Sequence, residues 1–65
     1  MTIGENIRYY RDEADLTQEA LAHKAGVAHM TVSRLERNIQ RPGVDLLQKI
    51  ARALGVTLDD LAGEL

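Results

Sequence analysis

"QEALAHKAGVAHMTVSRLER", Gln18 to Arg37, sets two helix-favouring runs either side of one glycine, Gly26, and gathers Arg34 and Arg37 after the break. Ala, Leu, Gln, Glu and Lys fill the first run, and all are good helix formers. A glycine kept inside a continuous helix would cost about 1 kcal/mol. As the residue that ends a helix it costs nothing, because without a Cβ it takes positive φ freely. Helical spacing turns Ala20, Leu21 and Ala25 inward on the first run, and Val32 and Leu35 inward on the second. Two helices joined by a turn of three or four residues and crossing steeply form a helix-turn-helix. The steep crossing requires small residues at the contact, and Ala22, one turn before Gly26, with Val27 just behind it, meets that need. The motif is expected over about residues 17–38.

The rest of the chain extends the pattern. Ile3, Ile7, Tyr10 and Ala14 recur at i, i+4, i+7 and i+11, one face of a first helix with Thr2 as its N-cap. That helix should stop near Asp15, a residue type that tolerates the left-handed conformation. Thr17 caps the second helix. The third runs from about Ala28 to Arg37, and Ala28 stands where a Ser or Thr cap would contribute about 1 kcal/mol. Asn38 can take the left-handed turn after it, "NIQRPG" reads as a loop, and Gly43 opens a fourth helix. Leu46, Leu47, Ile50, Ala51 and Leu54 form its apolar stripe, and Gly55 ends it. Thr57 caps a short fifth helix carrying Leu58, Leu61 and Leu65. No segment alternates with period two. The expectation is a compact all-α domain of five helices, one unit over residues 1–65.

Composition narrows the function classes. At 65 residues with no Cys, the chain is near the lower limit for folding without a staple and has no disulfide or thiolate metal site. Without Trp or Phe its core must be aliphatic. No apolar run approaches the ~20 residues of a membrane span, and "MTIGENIRYY" lacks a signal-peptide layout; a cytoplasmic location is expected. The net charge of −2 is the opposite of the usual nucleic-acid footprint. Its distribution is more telling. From Thr17 to Arg41, Lys24, Arg34, Arg37 and Arg41 face only Glu19 and Glu36, leaving +2, whereas each flank carries −2. A face that meets an anion is the natural reading.

The pieces "IGENIRYYRDEADLTQEALAHKAGVAHMTVSRLERN" and "RPGVDLLQKIARALGVTLDDL" resemble the phage-repressor and Cro type of helix-turn-helix domain, the XRE-like family. Leu16-Thr17-Gln18, Ala22, Gly26-Val27, Leu35-Glu36, Pro42 and Leu54-Gly55-Val56 fall at that family's spacing. The resemblance implies a lambda-repressor-like fold whose third helix enters the major groove of duplex DNA. Three positions depart: Asp15 replaces a usual Gly, Ala28 a usual Ser or Thr, and Asn38-Ile39 a Gly followed by a basic residue.

With Val32 and Leu35 inward, His29, Met30, Ser33, Arg34 and Arg37 fall on the outer side of the third helix. The resemblance places His29, Met30, Ser33 and Arg34 at base edges. Arg34 carries the planar fork that matches O6 and N7 of guanine; Met30 suits a thymine methyl or half-buried packing. Gln18 opens the second helix, where free amides attract phosphate, and by resemblance it also steadies His29. Thr17, Arg37, Gln40 and Arg41 are further phosphate candidates. An Arg and a Glu at the positions of Arg11 and Glu36 pair beneath the reading helix in this family, which implies an orienting role.

Catalysis finds no support. His23 and His29 lie six apart on different helices without HExxH spacing, and no glycine-rich phosphate loop exists. Glu19 and His23 read as an ordinary i, i+4 pair, and no cofactor is expected. The expected partner is double-stranded DNA, bound as a homodimer on an inverted repeat. The rival is a protein-interaction module, such as an antitoxin or subunit. Leu58, Leu61 and Leu65 could serve that contact, a homodimer, or simply the core.

Overall fold

Threonine hydroxyls open three of the helices. The structure, a computed structural model, describes residues 2–63: α1 Ile3–Glu13, α2 Gln18–Ala25, α3 His29–Glu36, α4 Val44–Leu54 and α5 Leu58–Ala62, with no strand among the described residues. Thr2 accepts from the Glu5 amide at 3.1 Å while Glu5 accepts from the Thr2 amide at 2.9 Å, a reciprocal box. Thr57 and Asp60 repeat it on α5, and Thr17 accepts from the Ala20 amide at 3.0 Å. α3 begins on Ala28 with no side-chain cap, and α4 on Gly43.

Four helices end by one device. Asp15, Gly26, Asn38 and Gly55 take φ of 59°, 73°, 58° and 71°. The amide after each bonds back into the last turn: Leu16 to the Arg11 carbonyl, Val27 to Ala22, Ile39 to Arg34, Val56 to Ala51. Leu16, Val27 and Val56 then pack against the core, whereas Ile39 remains 66% exposed. This device corrects one expectation. Ala14 is exposed and lies beyond α1, because the chain reverses at Asp15 and Leu16 takes the inward place.

The core is aliphatic. Ile7, Leu21, Val32, Leu35, Ile50 and Leu61 are fully or almost fully buried, with Ala22, Ala51 and Ala53 where helices approach closely. Burying each large aliphatic side chain contributes roughly 1.5–3 kcal/mol. α2 packs on α3 and α4, and α1 on α3, α4 and α5. Leu61 therefore belongs to the core and is not available to a partner; Leu58 is half-buried, and Leu65 lies outside the described residues. Tyr9 and Tyr10 meet edge to face at 5.0 Å on α1, outside the fully buried set.

Two polar contacts close the fold over long sequence distances. Asn6, wholly buried, donates from Nδ2 to the Leu61 carbonyl at 2.8 Å and the Gly63 carbonyl at 3.3 Å, satisfying oxygens the last turn of α5 leaves free. Gly4 sits against the end of α3, where an added Cβ would collide with the Leu35 carbonyl oxygen. The Gly4 amide donates to Asn38 Oδ1 at 3.2 Å, and Asn38 Nδ2 donates to the Thr2 hydroxyl at 3.1 Å.

Candidate nucleic-acid interface

α3 is held from below and bare above. Val32 and Leu35 anchor its inner side, while His29, Met30, Arg34 and Arg37 are exposed and Ser33 is half-buried. Met30 is 49% exposed and is not among the residues packed against the core. Without a side-chain cap at Ala28, the Thr31 amide turns back to the Ala28 carbonyl at 3.0 Å, and the two amides ahead of it meet no capping side chain at the positive end of the helix dipole.

Beneath α3 lies a charged joint. Arg11 donates from Nε to Glu36 Oε2 at 2.6 Å and from Nη2 to Oε1 at 3.0 Å, a two-bond fork. Its Nη1 donates to the Leu16 carbonyl at 2.8 Å, so one guanidinium ties α1, the turn before α2 and the last residue of α3. The Glu36 side chain is only 4% exposed and that of Arg11 12%. The hydrogen bonds to Glu36 raise the Arg11 pKa above its ordinary value; burial works against this, and the charges of Glu36 and Asp12 reinforce it. The Arg11 guanidinium is thereby held in its charged form.

Gln18 joins this network. Its Nε2 donates to Glu36 Oε1 at 3.1 Å. The amide nitrogen turns inward, because a buried carboxylate is the stronger acceptor. The amide carries a second N–H and an oxygen besides. Thr17, Gln18 and His29 still border one concave surface between the starts of α2 and α3, together with Arg11, Glu19, Ala20 and His23. Gln40 and Arg41 lie elsewhere, in a hollow past the end of α3 shared with Thr2, Ile3, Asn38 and Ile39. Gln40 is half-buried, its amide 3.4 Å from the Arg34 carbonyl, and Arg37 and Arg41 are exposed.

Three contacts that frame the site escape the sequence reading. Gly4 within the first turn of a helix is a signal, since a glycine there usually has a packing reason. Asn6 sits on the apolar face with Ile3 and Tyr10, where a polar residue needs a buried partner. For the turn of Gln18 toward Glu36 the sequence carries no signal.

The helix-turn-helix family profile matches residues 7–61. The immunity repressor protein of Bacillus phage phi105 is 36% identical over 64 residues, which are 98% of this chain and 44% of that protein. The transcriptional regulator SinR of Bacillus subtilis is 40% identical over 63 residues, 95% of this chain and 57% of SinR. The chain thus spans about half the length of these relatives. A crystal structure of SinR in complex with DNA superposes with a TM-score of 0.89 at 39% identity, covering 92% of this chain and 97% of that one. The P22 c2 repressor in complex with a synthetic operator gives 0.90 at 30% identity, covering 97% and 96%.

Proposed function

We propose that this chain, which belongs to the helix-turn-helix family, regulates transcription by binding double-stranded DNA with α3 in the major groove. One observation carries the reading: His29, Met30 and Arg34 are exposed along a helix whose opposite side, Val32 and Leu35, is wholly buried. A rigid element with a bare polar face is what base-edge contact requires. Arg34 takes guanine O6 and N7, Met30 a thymine methyl, and His29 and Ser33 single hydrogen bonds to bases. Thr17, Gln18, Arg37, Gln40 and Arg41 hold phosphates on either side, with the second N–H of Gln18 serving the strand nearest α2.

Arg11 and Glu36 orient the reading helix and do not touch DNA. The protein acts as a homodimer on an inverted repeat, half-sites about one helical turn apart, most simply as a repressor. Relatives solved on an operator and on DNA support the assignment. No described helix is long and apolar enough to cross a membrane.

Selection from random duplex pools at two salt concentrations, wild type beside Arg34→Ala, tests this. A two-fold site should emerge, and the variant should lose preference at one position of each half-site, at a cost of roughly 1–3 kcal/mol. If no sequence enriches even at low salt, the DNA-reading assignment fails and a module for binding another protein takes its place.

A further inference from the structure

The eight lysines and arginines sort into three sets. Arg8 and Arg11 sit beside carboxylates, Arg8 within 3.9 Å of Asp12 and Arg11 on Glu36. Arg34, Arg37 and Arg41 belong to the exposed side of α3 and the loop after it. The remaining three, Lys24, Lys49 and Arg52, line a single groove between the last turn of α2 and the second half of α4, with Ala25 and Ala53 between them. All three cations are exposed, and none is in an ion pair among the described residues.

In an acidic chain this grouping has a cost. Lys49 and Arg52 are i, i+3 neighbours of like charge, and Lys24 faces them from α2. The dipoles at the ends of α2 and α4 offset only part of it, and that effect accounts for Lys24 and Arg52 in the last turns but not for Lys49.

We propose that this groove docks an extended acidic segment of a partner protein. Three features select that occupant. Helix ends of this polarity present carbonyls rather than amides, so a compact phosphate would find no backbone donors here. Three flexible cations around a floor of two alanines match carboxylates spaced along a strand with small side chains between them. The groove also lies on the α4 side of α2, and it shares no residue with the concave surface that Thr17, Gln18 and His29 border. A duplex lying on α3 leaves it open, so both partners can be held at once.

The test uses the whole chain and a labelled peptide of alternating Glu and Ala, followed by fluorescence anisotropy, with an unselected DNA duplex as the second probe. The combined variant Lys24→Gln, Lys49→Gln, Arg52→Gln should weaken peptide binding about tenfold, three modest surface charges together, while duplex affinity changes less than about twofold. Arg34→Gln with Arg41→Gln should do the reverse. Peptide should also bind the duplex-loaded protein. The proposal is overturned if the groove variant loses duplex affinity in step with peptide, if only the second variant loses the peptide, or if duplex displaces it. Unchanged peptide binding in the groove variant, with helical content intact by circular dichroism, overturns it too. The peptide arm involves no DNA, so its outcome is independent of whether α3 reads sequence.

Discussion

Arg11 grips Glu36 through two hydrogen bonds, at 2.6 and 3.0 Å, so α1 holds α3 by its last residue. A buried ion pair adds little net stability over an apolar pair, but removing one partner strands the other charge. Glu36→Gln or Arg11→Ala should each cost about 3 kcal/mol in urea unfolding. Arg11→Met with Glu36→Leu should recover most of that stability yet still weaken DNA binding, since Gln18 loses its acceptor. Stability losses that simply add in the double variant would remove the pairing argument.

Gly4 has no room for a side chain. Replacement by Ala gains helix propensity of up to ~1 kcal/mol but drives a methyl into the Leu35 carbonyl and to 2.9 Å from that of Glu36. Overpacking of this kind costs about 1–3 kcal/mol, and both neighbours are backbone, so the loss should win. Gly4→Ala is expected to lower the urea midpoint, with the amide resonances of residues 35–38 shifted most.

α3 starts without a hydroxyl. Ala28→Ser adds a hydroxyl acceptor for the first-turn amides, of which only that of Thr31 now bonds back, to the Ala28 carbonyl, and should raise stability by about 1 kcal/mol. Ala28 is exposed with extended backbone, so the new side chain meets no clash. Thermal unfolding should show a higher midpoint; an unchanged one would mean those amides are already satisfied.

Glu5 links stability to acid. Its pKa is lowered, chiefly by the hydrogen bond from the Thr2 backbone amide and then by that from the Thr2 hydroxyl. A folded-state pKa below the unfolded one contributes stability that is present above the unfolded pKa and lost as pH falls through the folded one. Stability should therefore decline below the ordinary carboxylate value of about 4.3, and Glu5→Gln should flatten that decline. Parallel acid limbs in the two proteins would exclude the contribution.

What the sequence made legible is what lies within one turn. Caps at Thr2, Thr17 and Thr57 and left-handed stops at Asp15, Gly26, Asn38 and Gly55 depend on partners three to five residues away, and composition there announces them. The bare side of α3 follows from Val32 and Leu35 for the same reason. Asn6 reaching Leu61 and Gly4 reaching Asn38 join residues 55 and 34 apart, and no local pattern encodes such partners. Ala14 departs from the periodicity because that pattern assumes the helix continues, and the bond from Gln18 to Glu36 is one of several an amide side chain can make. Gln40 and Arg41 separate from the concave surface beside α2 because an irregular loop carries them.

The tyrosine pair has an optical consequence. With no Trp in the chain, ultraviolet emission excited near the phenol band comes from Tyr9 and Tyr10 alone, both on α1. Light from this protein reports whether the first helix is seated and is blind to the surface of the third, so occupancy of that surface has to be followed with a label of its own.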